Sequence, residues 1–246
     1  MLLDIHSHIL PAVDDGAKDI EDSIMLLEMM RSQGITHVIA TPHFYPNNDT
    51  LEDFKSRVAD AQLLLNKKKI TTPEIVIGCE LFYFTGISQS DLINEFTIAN
   101  SKYILLEPSP FLINKTLMSE ILYLKNELGL VPIIPHIERY HKSIGFKDFL
   151  KFVKQNNILC QVNAGSFFDK HYNRILNKLF KLGVITFVAT DTHSLERPPL
   201  LANALNEIEI RFSKDEKQRI LTNLEALLSE ITAKEQNDEI KHFEYK

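Results

Sequence analysis

Near its start the chain reads Asp4-Ile5-His6-Ser7-His8, a His-x-His pair closing an apolar run. In an extended strand, residues two apart point to one side, so the two imidazoles emerge together. Paired neutral imidazoles form half of a binding site for a divalent transition metal. The pattern recurs along the chain: His43, Glu80, Glu107, His136, and Asp191 with His193 each follow a similar apolar run. A mixed nitrogen and oxygen donor set suits Mn²⁺, Fe²⁺ or Zn²⁺ better than Mg²⁺ or Ca²⁺, which prefer oxygen shells. The donors are too many for one ion, so two or three metals sharing carboxylates are expected. Metals about 3.5–4 Å apart can hold a bridging hydroxide that attacks a phosphoryl group in line. Arginines suit phosphate oxygens because the guanidinium is a planar fork. Arg139 lies three residues past His136 and Arg197 four past His193.

These residues need a scaffold that gathers them. Strands are predicted at 2–6, 36–41, 74–79, 103–107, 131–135, 158–163 and 185–190. Each is short, rich in Val, Ile, Leu and Phe, and without strict polar alternation, as parallel strands buried on both faces read. Helical stripes fall between them. Ile20, Ile24 and Leu27 precede Gly34; Thr50 caps a helix carrying Leu51, Phe54, Val58, Ala61 and Leu65. Leu117, Ile121, Leu124 and Leu128 are closed by Gly129, and Ile175, Leu179 and Leu182 by Gly183. Ser213 and Glu216 have capping-box spacing ahead of Ile220, Leu224, Leu227 and Ile231. These stripes are core. Repeated β–α units imply right-handed crossovers and a parallel sheet, either closed as a barrel or open and doubly wound. An open sheet gathers only the strand ends near its switch point, whereas a barrel gathers all of them around one mouth. The candidate donors sit at the C-terminal ends of nearly every strand, which favours the barrel.

The chain has 246 residues, 44% hydrophobic and 24% charged, enough for one large α/β domain. We expect that domain to span 1–232, followed by a polar tail at 233–246. The net charge is −6 and the longest basic run is Lys67-Lys68-Lys69, which argues against a nucleic-acid partner. Cys79 and Cys160 form no disulfide framework, which points to a reducing compartment. Met1 leads straight into the first strand and no apolar run reaches membrane-spanning length. A cytoplasmic protein without signal peptide or membrane insertion is expected. Whether it forms a homo-oligomer is left open.

The ordered motifs His6-Ser7-His8, Asp14-Asp15-Gly16, Thr41-Pro42-His43, Gly78-Cys79-Glu80 and Tyr103-Ile104-Leu105-Leu106-Glu107 carry a resemblance. So do Pro135-His136-Ile137-Glu138-Arg139-Tyr140, Gln161-Val162-Asn163-Ala164-Gly165-Ser166 and Thr190-Asp191-Thr192-His193. Over residues 1 to about 210 the chain resembles the polymerase and histidinol phosphatase (PHP) superfamily. Within it, the chain is similar to the bacterial protein-tyrosine phosphatases of capsule and exopolysaccharide clusters. The resemblance implies a distorted (β/α)₇ TIM-like barrel with its metal site at the C-terminal strand ends. It implies that His6, His8, Glu80 and Asp191 hold one metal, that Glu80 bridges to a second completed by Glu107 and His136, and that Asp15, His43 and His193 hold a third. Arg139 and Arg197 would bind phosphate. Manganese is the metal implied, with iron or zinc as alternatives. The implied partner is a tyrosine-phosphorylated protein, the tail of a bacterial tyrosine kinase that controls polysaccharide synthesis.

The sequence departs from the family pattern in three places. His136-Ile137-Glu138-Arg139 lacks the proline of His-Pro-Glu-Arg, which changes loop stiffness but removes no ligand. Glu107 is followed by Pro108-Ser109-Pro110, which reshapes the rim. The His193-to-Arg197 spacing is one residue short, so Arg197 is the weakest correspondence. The expected reaction is phosphotyrosine hydrolysis by a metal-bridging hydroxide. The alternatives are a small-molecule phosphatase such as histidinol phosphatase, a metal-dependent nuclease, which the acidic balance disfavours, and an inactive metal-loaded module that binds phosphopeptides. Thiol-based chemistry needs Cys-x₅-Arg, and Thr85 and Ser166 occupy the sixth positions after Cys79 and Cys160. His37, His141, His171 and His242 fit no ligand position. Asn163 suits a structural role as well as a catalytic one, and Asp14, Glu138 and Tyr140 read as supports.

Overall fold

The structure is a computed structural model that describes residues 1–69 and 73–244, the last eleven of these by backbone alone. Among the described residues nine short parallel strands are interspersed with helices: β1 (Leu3–Ser7), β2 (His37–Ala40), β3 (His43–Phe44), β4 (Glu74–Ile77), β5 (Glu80–Phe82), β6 (Tyr103–Glu107), β7 (Val131–Ile134), β8 (Leu159–Asn163) and β9 (Phe187–Ala189). The helices are α1 (Ile20–Ser32), α2 (Leu51–Lys67), α3 (Lys115–Asn126), α4 (Phe146–Gln155), α5 (Asn173–Leu182), α6 (Leu201–Arg211) and α7 (Lys214–Glu244). The result is a mixed α/β fold around a curled parallel sheet. One ladder runs β1-β2-β4 and the other β3-β5-β6-β7-β8-β9.

Seven strands were expected, and two of them, at 36–41 and 74–79, are each continued past their expected ends by a further short strand after a break. The second splits into β2 and β3 at Thr41-Pro42, where proline offers no N–H to a ladder. The third splits into β4 and β5 at Gly78-Cys79. Both breaks lie side by side, and His43 pairs in register with Glu80 just beyond them. The first half of each strand therefore pairs toward β1, and the second half toward β6. At the far edge β1 meets the segment that follows β9 through a Ser7–Thr192 bridge. The Asp191 N–H donates to the His6 carbonyl and the His8 N–H to the Thr192 carbonyl, each at 2.9 Å.

The helices bury the expected stripes with two adjustments. α2 has Thr50 as its N-cap and buries Phe54, Val58, Ala61 and Leu65. α7 buries Ile220, Leu224, Leu227 and Ile231, and the Glu216 N–H donates to Ser213 Oγ. In α1 the inward face is Ser23, Leu26, Leu27 and Met30, so Ile20 and Ile24 sit at its margin. Leu128 lies beyond the end of α3 and is exposed. α7 runs on to Glu244; the side chains of the expected tail at 233–246 lie, after Ala233, outside the described residues. No helix among the described residues is long and apolar enough to cross a membrane.

Candidate metal centre

Because the strands are parallel, their C-terminal ends share one side, and the expected donors meet there. His6 is in β1 and His8 just past it; His43 is in β3, Glu80 in β5 and Glu107 closes β6. His136 follows β7 by two residues, and Asp191 and His193 follow β9. His136 and Asp191 both adopt left-handed backbone, φ +31° and +49°. Non-glycine residues pay a strain cost there, and such strain gathers at functional sites.

Three donor groups form. His6, His8, Glu80 and Asp191 are one; His8, Asp15, His43 and His193 a second; His43, Glu80 and Glu107 a third. His136 joins the last, with Nε2 at 2.9 Å from Glu80 Oε1 and 3.5 Å from Glu107 Oε1. Glu80 is central and fully buried: its Oε2 lies 3.0 Å from His6 Nε2, 3.3 Å from His8 Nε2 and 3.1 Å from His43 Nδ1. Asp191 Oδ1 lies 3.4 Å from His6 Nε2. Asp15, at the exposed edge, lies 3.7 Å from His43 and 3.5 Å from His193. The sets expected for three ions thus lie together, with His8 and His43 each within reach of a second group.

All the donor imidazoles except that of His43 are tied through Nδ1 to groups other than the metal-facing carboxylate oxygens. His8 Nδ1 donates to Asp14 Oδ2 at 2.6 Å, His6 Nδ1 bonds Gln161 Oε1, and His136 Nδ1 bonds the Tyr140 hydroxyl. His193 Nδ1 bonds the Asp191 carbonyl at 3.0 Å. Such outer partners fix which nitrogen faces a metal. The Nε2 atoms of His6 and His8 then aim at one point, 3.1 Å apart. Two lone pairs so placed repel unless a cation or proton lies between them. His43 Nδ1 and Glu107 Oε2 are buried without a hydrogen-bond partner among the described residues. Convergent lone pairs, orphaned buried donors and a mixed nitrogen–oxygen set fit divalent transition metals.

The charges agree with this. Burial, reinforced by the Glu80 charge, pushes Glu107 up to about 8. Burial together with the neighbouring His8 charge lowers His193 to about 4. With no cation present, burial opposes ionisation of Glu80, yet the His6 charge and hydrogen bonds from His136, His6 and His8 hold it well below the usual range. A compact group of carboxylates at odds over their protons is the electrostatic environment that a cation relieves.

Beside the donors is a cavity of about 270 Å³ lined by Arg139, Arg197, Ser166, Tyr172, Pro198 and Leu200, among others. Both arginines point at Asp191 Oδ2, Arg139 at 2.6 Å and Arg197 at 3.2 Å. Asp191 therefore faces the donors with one oxygen and the arginines with the other. The shortened His193–Arg197 spacing does not carry Arg197 away from the site.

Along residues 2–229 the chain matches the family model described as capsular polysaccharide synthesis, CpsB/CapC. The chain belongs to the CpsB/CapC family. It is 30% identical to the tyrosine-protein phosphatase CpsB of Streptococcus agalactiae over 242 residues, covering 92% of this chain and 98% of that one. It is 31% identical to the tyrosine-protein phosphatase YwqE of Bacillus subtilis, covering 94% and 93%. A solved structure in a study of B. subtilis YwqE and Streptococcus pneumoniae CpsB, described as unique metal-dependent tyrosine phosphatases, superposes with a TM-score of 0.80 at 27% identity, covering 93% of this chain and 95% of the other.

This CpsB/CapC chain also uses residues that pattern reading passed over. Asp4, read as part of an apolar run, is buried and accepts from the Thr190 N–H at 2.9 Å and from its hydroxyl, tying β1 to β9. Burial raises its carboxyl to about 6 against the pull of those bonds. Its signal was periodicity: Asp4, His6 and His8 alternate onto one face. Gln161 and Asn163 share a face of β8 for the same reason. Tyr45 stacks on His43 with centroids 4.9 Å apart. Of the histidines expected to stand aside, His37 lies 3.5 Å from Glu74, His141 bonds the Glu138 carbonyl and His171 is exposed; the side chain of His242 is outside the described residues.

Proposed function

We propose that this protein is a metal-dependent protein-tyrosine phosphatase acting in capsular or exopolysaccharide synthesis. The observation that carries the reading is the meeting of nine expected donors, from six separate strand ends, around Glu80 and beside two arginines. In this reading the curled sheet, joined at Ser7–Thr192, is a distorted (β/α)₇ barrel formed by residues 1–232, and the site is its mouth.

His6, His8, Glu80 and Asp191 would hold one ion; Glu80, Glu107 and His136 a second; Asp15, His43 and His193 a third. Manganese is the ion proposed. When bound, such cations act as Lewis acids, easing deprotonation of water and neutralising charge on a transferring phosphoryl group. Arg139 and Arg197 bind the phosphate oxygens through their free guanidinium N–H groups while Asp191 Oδ2 keeps both side chains in place. The cavity under them receives the rest of the substrate residue. Phenol has a pKa near 10, so the leaving tyrosine oxygen needs only modest help. The physiological substrate proposed is the phosphorylated tail of a bacterial tyrosine kinase, met in the cytoplasm.

The test is direct. With Mn²⁺, the purified protein should release phosphate from phosphotyrosine peptides faster than from histidinol phosphate, and a chelator should stop it. His136→Ala and Asp191→Ala should each abolish turnover. Full activity in metal-free protein overturns the proposal.

A further inference from the structure

Gln161 is wholly buried beneath the donors, on the inward face of β8. Its side chain reaches three ways. Oε1 accepts the His136 backbone N–H at 2.8 Å and bonds His6 Nδ1 at 3.2 Å. Nε2 donates to Asn163 Oδ1 at 2.8 Å, and Asn163 Nδ2 donates to Asp191 Oδ2 at 2.6 Å. We propose that Gln161 is the positioning residue of the metal centre, one side chain that sets the ligating atoms of His6 and Asp191 from the backbone N–H of His136. This rests on the metal-centre reading above.

The argument turns on which partner has no choice. A primary amide can present either its oxygen or its nitrogen, and a neutral imidazole nitrogen can donate or accept. A backbone N–H only donates. The His136 N–H therefore requires the Gln161 oxygen. That same oxygen faces His6, so His6 Nδ1 carries the proton and its Nε2 is left as a lone pair. Nε2 is the atom that points at Glu80 and Asp191. The opposite tautomer would set two acceptors against each other at Gln161 and turn an N–H toward the donors.

The other end of the amide follows. With its oxygen committed, Gln161 must donate to Asn163, whose oxygen is then the acceptor and whose NH₂ must face Asp191. Oδ2 of Asp191 becomes an acceptor for Asn163, Arg139 and Arg197. Oδ1 is left for the imidazoles. One backbone hydrogen thus propagates through two amides to two ligands, His6 in β1 and Asp191 just past β9. It also accounts for His136: its left-handed backbone aims the N–H at Gln161, and that bond offsets the strain. Because every group is buried, a missing partner is not replaced by bulk water.

The experiment uses the full chain and two ions. Mn²⁺ affinity is measured by calorimetry, and Zn²⁺ serves as a diamagnetic probe for proton–nitrogen correlation spectra of the histidine rings. In the Zn²⁺-loaded wild type, His6 should show a slowly exchanging Nδ1–H proton with Nε2 bound to metal. Gln161→Leu should bring that proton into fast exchange and weaken Mn²⁺ binding about 10–100-fold. Asn163→Ala should keep the His6 proton and weaken Mn²⁺ binding by a smaller factor. If Gln161→Leu does not fold, Gln161→Glu decides: it keeps both acceptor bonds and loses the donor, so the His6 proton should persist while Mn²⁺ affinity falls. Wild-type His6 protonated at Nε2, or a folded Gln161→Leu whose His6 proton still exchanges slowly and whose Mn²⁺ affinity is wild-type, overturns the proposal. So does a Gln161→Glu that loses the His6 proton. Wild-type protein that takes up neither ion would instead end the metal-centre reading.

Discussion

Oδ2 of Asp14 accepts from Nδ1 of His8 at 2.6 Å and, from the other side, from the backbone N–H of His43 at 2.9 Å. One carboxylate oxygen so holds the His8 imidazole and the backbone of the neighbouring His43. Burial works against a charged His8, but Asp14 outweighs it and holds His8 well above its ordinary value, while the same contact depresses Asp14. In metal-free protein at neutral pH His8 therefore carries an extra proton, and a protonated ring cannot ligate. Mn²⁺ binding should release that proton, and affinity should climb as pH rises toward the elevated His8 value. Calorimetry in two buffers of different ionisation heat reads the proton directly; identical heats would refute it. The pair's contribution to the metal-free fold has matching signs. It is lost as pH falls through the depressed Asp14 value, and also as pH rises through the raised His8 value.

The two arginines should differ. Arg139 is closer to Asp191 and less exposed than Arg197, 36% against 49%. A less hydrated charge is screened less and acts more strongly on a developing anion. Arg139→Ala should lower kcat/KM on a phosphotyrosine peptide by about 10²–10³-fold. Arg197→Ala should cost about tenfold, mostly in KM. Steady-state kinetics of both variants decide the ranking, and equal losses would reverse it.

Gly16 is a point of contact between loop and site. A Cβ there would lie 2.1 Å from the His8 carbonyl oxygen and 2.5 Å from the His8 Cβ. Gly16→Ala must push the Asp14–Asp15 turn off His8. Mn²⁺ affinity should fall by at least tenfold, by analogy with loss of an outer partner, with the far-UV circular dichroism of the fold retained. Wild-type affinity would show that the turn yields without moving His8.

Neither cysteine should matter to turnover. Cys79 and Cys160 are buried, and burial pushes both thiols up, so little thiolate is exposed to react. Iodoacetamide on the native protein should leave phosphatase activity unchanged under conditions that inactivate a thiol-dependent tyrosine phosphatase. Parallel loss of activity would point to a phosphocysteine route.

What the sequence made legible followed from how each feature is encoded. Ligand chemistry is local: a histidine or acid closing an apolar run declares itself, and His6, His8, His43, Glu80, Glu107, His136, Asp191 and His193 all stand at strand ends. Helix caps such as Thr50 and Ser213 are equally local. The breaks after Ala40 and Ile77 were not legible as a pair, because they arise from two strands kinking together, and only Pro42 marks one of them. The shifted face of α1 reflects what it packs against rather than its own periodicity. Gln161 and Asp4 were hidden for a third reason. Their roles depend on partners 25 to 186 residues away, and nothing within a strand names the residue it will meet across the sheet.

The seam between β1 and β9 has a consequence for biogenesis. His6 and His8 are synthesised well before Asp191, His193 and Thr190, and the Thr190 that locks Asp4 lies 186 residues further along the chain. A nascent chain can display the first imidazoles yet lacks the last segment that completes their surroundings. Contacts so distant in sequence form late in folding. Tight cation capture is thereby deferred until both segments exist, so a chain lacking the later one would compete poorly for a divalent metal.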